Sequence, residues 1–221
     1  MKFRLSDKRG ASKNNWLDSR HSFSFGNYYD EEWMSFNRLR VLNEDWIAPG
    51  TGFPMHPHNN MEIVTVMLTG EISHRDSMGN EGVIHSGETQ AMTAGTGILH
   101  SEWNSSKETT YLFQLWIEPK EKGLTPLYDQ FKPVDSHLQL LASGSGGGLK
   151  INSDAEVIRQ RLKSGESWSS EEGNHTYVHV IKGALEVGGM KLHEGDAVAF
   201  ENEKESLISS DNTELLIIKM Y

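Results

Sequence analysis

His56 and His58 are separated by one residue, and so are His100 and Glu102. In an extended strand, side chains two apart project from the same face. Each pair can therefore aim two donors at one point. Two such strands facing each other would bring three imidazoles and a carboxylate together, a full donor set for a divalent transition metal. A histidine on a strand ordinarily satisfies itself with one hydrogen bond, and among ten histidines some will fall close together by chance. The context argues against chance here. His56-Pro57-His58 follows the turn-forming residues 48–52 and precedes the apolar run 61–68. His100-Ser101-Glu102 follows the Gly95-Thr96-Gly97 turn. Both pairs sit at the mouth of a strand, where sites are built. Glu62 continues the alternation 56, 58, 60, 62 and so competes with Glu102 as the carboxylate.

The chain has no cysteine, which excludes a disulfide framework and any thiolate ligand. The remaining nitrogen and oxygen donors suit iron, manganese, nickel, copper or zinc. Asp and Glu outnumber Lys and Arg by 31 to 21, for a net charge of −10. That balance excludes the basic footprint of direct nucleic-acid binding and of anionic membrane surfaces. No apolar run approaches the roughly 20 residues of a membrane span, and the first 14 residues lack the apolar core of a signal peptide. The expectation is a soluble cytoplasmic protein.

The elements that position these residues read as strands. Turn signals recur at Pro49-Gly50, Thr69-Gly70, Met78-Gly79-Asn80, Ser86-Gly87, Gly95 and Gly97. Short strands at such spacing predict an all-β sandwich or barrel. His21, Phe23 and Phe25 alternate with serines and predict a strand closing one side of a barrel. This reading is preferred to a direct role for His21 in the site. One helical turn is expected within residues 124–131, and Ser143-Gly144-Ser145-Gly146-Gly147-Gly148 reads as a linker or surface loop. The pattern then repeats. Residues 66–72 correspond to 180–185, and residues 86–92 to 194–200. A repeat of this size predicts two copies of one β-fold, an N-terminal domain over 1–135 and a C-terminal domain over 136–221.

Gly50, His56, His58, Glu62 and Gly70 resemble the first motif of the cupin superfamily, with one extra residue before the last glycine. Gly87, Gly97, His100 and Asn104 resemble its second, with Gly95 at the proline position and two extra residues. Within cupins the chain is similar to the pirin family. The resemblance rests on Trp16-Leu17-Asp18-Ser19, His21-Ser22-Phe23-Ser24-Phe25, Tyr28-Tyr29-Asp30 and residues 39–45. It rests equally on the stretches around His56-Pro57-His58 and His100-Ser101-Glu102. It implies two cupin-type barrels (double-stranded β-helix or jelly-roll) packed face to face, with a metal in the N-terminal one only. The C-terminal copy has no H-x-H before residue 177, and His175 and His179 lie at the wrong spacing.

The resemblance further implies His56, His58, His100 and Glu102 as ligands and Fe(2+) as the usual metal, with Ni, Cu, Zn or Mn as other occupants. Glu62 then becomes an acceptor for a ligand imidazole N–H or a carboxylate lining the cavity. Glu102 and Glu62 are the expected catalytic carboxylates, either one a base for a substrate hydroxyl. The implied activity is cleavage of a flavonol such as quercetin by dioxygen with release of carbon monoxide. The alternative is a non-enzymatic iron-dependent redox sensor or regulatory protein with a protein partner. The expected ligands are a small aromatic enol and O2, and the expected state is a monomer.

Overall fold

The computed structural model describes residues 1–221. The chain forms 22 strands and two short 3-10 turns. No helix is long and apolar enough to cross a membrane. The strands are β1 (Lys2–Arg4), β2 (Gly10–Lys13), β3 (Leu17–His21), β4 (Leu39–Ile47), β5 (Thr51–His58), β6 (Glu62–Thr69), β7 (Glu71–Asp76) and β8 (Glu81–His85). There follow β9 (Thr89–Thr93), β10 (Ile98–Asn104), β11 (Thr110–Ile117), β12 (Leu127–Phe131), β13 (Leu138–Ser143), β14 (Leu149–Lys150) and β15 (Ala155–Leu162). The last are β16 (Ser167–Ser169), β17 (His175–Lys182), β18 (Ala184–Val187), β19 (Met190–His193), β20 (Ala197–Glu201), β21 (Ser206–Ser209) and β22 (Thr213–Met220).

Two compact units result, one comprising Gly10–Pro133 with Leu149–Ser153, the other Met1–Arg9, Val134–Gly148 and Asp154–Tyr221. Both differ from the contiguous segments 1–135 and 136–221. The first nine residues belong with the C-terminal strands because β1 pairs antiparallel with β20, Lys2 opposite Ala199 and Arg4 opposite Ala197. An edge strand carries a row of unpaired N–H and C=O groups, and β1 satisfies that row on β20. The Ser6 amide adds a 2.7 Å bond to Asp196 Oδ1.

Each unit is a pair of antiparallel sheets. In the N-terminal unit a seven-stranded sheet runs β12-β9-β6-β11-β4-β3-β2 and a four-stranded sheet runs β5-β10-β7-β8. Ile47, Met67, Ile72, Ile84 and Leu112 cluster between them, with Trp16, Leu17 and Phe53 packed alongside. A second cluster joins Ile63, Met92, Ala94 and Ile98. In the C-terminal unit β20-β17-β22-β15 takes the order of β9-β6-β11-β4, and β16-β21-β18-β19 that of β5-β10-β7-β8. This is the all-β, two-barrel cupin architecture that the sequence resemblance implied.

The internal repeat extends to single hydrogen bonds. Gly70 and Gly183 join equivalent strand pairs at φ of +76° and +86°. In the first barrel Thr110 Oγ1 donates to the Glu71 carbonyl at 2.7 Å. In the second, Thr213 Oγ1 donates to the Ala184 carbonyl, also at 2.7 Å. A Cβ on Gly70 would lie 2.7 Å from Thr110 Oγ1, and one on Gly183 2.5 Å from the Asn212 carbonyl. The turns at Gly87 and Gly195 match too, since Gly87 N–H donates to Met67 and Gly195 N–H to Val180.

Two local expectations fail. Residues 127–131 form no helical turn but strand β12, paired with β9, where the barrel edge needs a partner more than this short run favours a helix. The alternation of His21, Phe23 and Phe25 is not one strand. β3 ends at His21, and Phe25 turns back to bridge Tyr28.

Candidate metal centre and cavity

β5 and β10 lie side by side with His56 directly opposite His100 and His58 opposite Ile98. The ladder then slips: His100 pairs with His56 but Glu102 pairs with Phe53, so β5 spends three residues where β10 spends two. The extra residue is a bulge at Pro54-Met55, where a proline costs the ladder no donor. It returns Phe53 to the same face as His56 despite their spacing of three. It also turns the Pro54 carbonyl onto His56 Nδ1 at 2.8 Å. Along β10 the alternation is clean. His100, Glu102 and Asn104 are buried, while Leu99 and Trp103 are exposed.

The Pro54 carbonyl fixes the proton on His56 Nδ1 and leaves Nε2 as a bare lone pair. That atom faces His100 Nε2 at 3.0 Å. His58 completes the group, its ring centroid 4.8 Å from those of His56 and His100. One ring nitrogen from each of the three lies within 4.8 Å of the others. His58 Nε2, His100 Nδ1 and Glu102 Oε1 are buried with no hydrogen-bond partner. Burial pushes the His58 imidazole down to about 4, helped by His100 and His56 beside it. Burial lowers His100 as well, against the pull of Glu102. Three imidazoles whose ring nitrogens converge are poor neighbours for one another and a good set for a cation. The group fits a single transition-metal site.

Glu102 stands outside this closest trio but on the same face of β10 and in the same cavity wall. Its Oε2 accepts from Gln114 Nε2 at 2.8 Å, and Gln114 Oε1 accepts from Trp116 Nε1 at 3.3 Å. The carboxylate is thus held through one oxygen, with the other unspent.

Glu62 is elsewhere. Its Oε2 accepts from Thr93 Oγ1 at 2.8 Å, and Asn152 also donates to the carboxylate. No imidazole is among its partners, and it does not line the cavity. The expected role as an acceptor for a ligand N–H, or as a cavity carboxylate, is therefore corrected. The alternation counted from His58 does not survive the turn. Asn60 takes φ of +48°, and β6 belongs to the other sheet. Ile63 and Met67 join the interior clusters, so Glu62 points out of the opposite face. Burial raises its pKa, against the bonds from Thr93 and Asn152.

A cavity of about 450 Å³ opens onto His56, His58 and Glu102. Leu17, Phe25, Phe53 and Trp116 line its apolar walls. Trp116 meets His58 edge-on at 4.9 Å, and Phe25 meets Trp116 likewise at 5.4 Å. Ser19, His21, Asn43 and Asp45 also line it, so His21 is a cavity residue as well as part of a closing strand. The ladder explains why. His21 pairs with Asn43, Asn43 with Gln114, Gln114 with Thr65 and Thr65 with Gln90. A polar row thus crosses the interior face of the seven-stranded sheet. The spacing of Asn43 and Asp45, two apart like the histidine pair, was its one legible trace.

A further group flanks the trio in the interior. On β7, His74 pairs with Glu102 and Asp76 with His100. The His74 ring lies 5.4 Å from His100, stacks on Tyr128 at 4.3 Å and sets Nε2 3.3 Å from Asp76 Oδ2. Burial pushes the Tyr128 phenol up, and Glu102 and Asp76 add to it. In the C-terminal barrel the strands in the places of β5 and β10 carry Ser167-Trp168-Ser169 and Ser206-Leu207-Ile208-Ser209. Leu207 and Trp168 pack with that barrel's apolar core.

Comparison with known proteins extends the likeness over the whole chain. The family description Pirin matches residues 2–117, and Quercetinase C-terminal cupin domain matches residues 140–220. A quercetin 2,3-dioxygenase of Escherichia coli K12 is 41% identical over 98% of this chain and 97% of its own. The crystal structure of YhhW from Escherichia coli superposes with a TM-score of 0.96 at 39% identity, covering 100% of this chain and 97% of that one. A second structure, of bacterial pirin YhhW in complex with nickel(II), gives 0.94 at 39% identity, with 99% and 98% covered. Likeness of this degree, sustained through both barrels, places the chain in the pirin family of metal-binding cupins.

Proposed function

We propose that this protein is a metal-dependent dioxygenase that cleaves a flavonol such as quercetin with O2 and releases carbon monoxide. The observation that carries the reading is the aromatic-walled cavity of about 450 Å³ opening onto His56 and His58 of the histidine trio and onto Glu102. A regulatory metal site needs no such space, whereas pockets of a few hundred Å³ with apolar walls and few polar groups suit a small ligand. The name of the Escherichia coli relative supports the same reading.

His56, His58 and His100 would hold the metal, with Glu102 as the fourth ligand. Iron(II) is the expected ion, and nickel, copper, zinc and manganese fit the same donors. When bound, the metal would supply Lewis acidity toward the enol hydroxyl and a redox partner for dioxygen. The chain supplies the rest. Trp116, Phe25 and Phe53 give a planar ring apolar walls to pack against and help exclude water, which strengthens charge interactions in the site. Gln114 occupies one lone pair of Glu102 Oε2 and leaves Oε1 for the metal, so the second lone pair of Oε2 is the one left to take the enol proton. Positioning the enol against a fixed carboxylate replaces an encounter by a prearranged contact.

The test is to load the protein anaerobically with ferrous iron, quantify the metal, and follow oxygen uptake and carbon monoxide release with quercetin. Uptake in proportion to bound iron is expected. A fully loaded protein that consumes no oxygen with any flavonol would refute the reading and favour a metal-dependent regulatory role.

A further inference from the structure

The cavity has a second wall. His56, His58 and Glu102 stand on the four-stranded sheet, whereas Ser19, His21, Asn43 and Asp45 stand on β3 and β4 of the seven-stranded sheet. All four are buried, with 4% exposure at most. Buried polar groups are costly unless satisfied, and a barrel interior can be filled with apolar residues instead. The cluster of Ile47, Met67, Ile72, Ile84 and Leu112 does so in the same barrel. The polar wall therefore calls for an explanation in terms of what it faces.

Its hydrogen bonds show what it offers. Ser12 Oγ lies 2.8 Å from His21 Nε2, and His21 Nδ1 lies 2.8 Å from Asn43 Oδ1. An amide oxygen only accepts, so Nδ1 carries the proton and Nε2 accepts from Ser12. Asn43 Oδ1 is thereby spent on His21. The Asn43 NH2 is turned away from His21 and donates to no protein acceptor. Two residues along β4 and on the same face, Asp45 presents a buried carboxylate that accepts from the Ser19 hydroxyl. The wall thus pairs an unspent N–H donor with a carboxylate acceptor, about 7 Å apart along the strand. Facing sheets are roughly 10 Å apart, the length scale of a two- or three-ring aromatic.

We propose that Asn43 and Asp45 form a recognition subsite for adjacent hydroxyls on a phenolic ring, on the cavity wall that belongs to the sheet opposite the histidines. One phenol oxygen accepts from the Asn43 amide, and the neighbouring O–H donates to Asp45. His21 and Ser19 are positioning residues that hold those two groups in place. The chemical class is an ortho-dihydroxylated aromatic ring. The inference rests on the flavonol reading, because it assigns the pendant ring to this wall and the enol to the metal end.

The test uses three flavonols with two, one and no hydroxyls on the pendant ring. Their binding to nickel-loaded protein is read without oxygen by quenching of tryptophan fluorescence. A hydrogen bond to a buried charge corresponds to about 10- to 100-fold in affinity. The wild type should prefer the dihydroxylated compound over the unhydroxylated one by that factor. Asp45→Asn keeps the volume and an acceptor for Ser19 but loses the charge. Asn43→Leu keeps the volume and loses the donor. Each should reduce the preference to about threefold or less, with nickel per chain, read by metal analysis, reporting that the site is still built. Equal affinity of the wild type for all three, or a preference that survives both substitutions, overturns the subsite. Two further outcomes separate it from its parent reading. Oxygen uptake with all three flavonols at equal affinity keeps the dioxygenase and removes the subsite. Selective binding without any uptake by the iron-loaded protein keeps the subsite and removes the dioxygenase.

Discussion

Replacing Gln114 by methionine removes the one protein group that holds Glu102 and changes little else in volume. The Gln114 Nε2 to Glu102 Oε2 bond is 2.8 Å long, and Glu102 is only 3% exposed, so the carboxylate cannot turn to water instead. A hydrogen bond to a charged group is worth about 1.5–3 kcal/mol. The longer Trp116 bond to Gln114 Oε1 adds less. For a chain of this size each kcal/mol moves the melting temperature by about 2–4 °C. Metal-free Gln114→Met protein should therefore melt roughly 3–12 °C below the wild type. If Glu102 serves the metal, releasing its second oxygen should also weaken metal binding by about 10- to 100-fold. Thermal unfolding of the metal-free protein reads the first effect, and competition against a chromophoric chelator reads the second. A variant that melts early but binds metal as tightly as the wild type would show that Glu102 does not serve the metal. An unchanged melting temperature would show that the Gln114 bond contributes nothing.

Glu62→Gln should leave bound metal per chain unchanged, because the Glu62 carboxylate meets Thr93 and Asn152 and not the trio; loss of metal in this variant would restore Glu62 to the site. Burial raises the Glu62 pKa above 4.5, so the native state binds the proton more tightly than the unfolded chain. Stability should fall as pH rises through that interval, and urea unfolding from pH 4 to 7 should show the slope flatten in Glu62→Gln. His58 has the opposite sign. The unfolded chain takes its proton near 6.5 and the native metal-free state only near 4, so this contribution is present above 6.5 and lost as pH falls toward 4. His58→Gln should remove that component from the acid limb of the same profile. Gly70→Ala places a Cβ 2.7 Å from Thr110 Oγ1 at φ of +76° and should cost about 1–3 kcal/mol, read by urea unfolding; a neutral substitution would mean that the turn relaxes freely.

Period-two alternation located the three histidines and Glu102, because within one unbroken strand it is a local rule. His100 and Glu102 on β10 obey it, and so do His56 and His58 on β5. The same alternation failed once it was carried through a turn to Glu62, where the chain changes sheets. Composition and turn spacing likewise determined the all-β class and the two copies, down to the glycines at residues 70 and 183. These signals are local, requiring only that a strand have two faces and a tight turn a residue with positive φ.

What the sequence by itself could not decide depends on pairing between distant segments. The bulge at Pro54-Met55 that aims Phe53 beside His56 exists only as a mismatch between β5 and β10. The return of residues 2–4 to β20 is invisible until both edges are in place. The cavity is the clearest case. Its polar wall is a row of side chains from β3, β4 and β11 that the antiparallel register alone makes neighbours. Residue types and spacing fixed the donors that could hold a metal, since each pair lies within one strand. Tertiary structure decided that Glu102, and not Glu62, shares their cavity and what else lines it, because those contacts join strands as distant in sequence as β4 and β11.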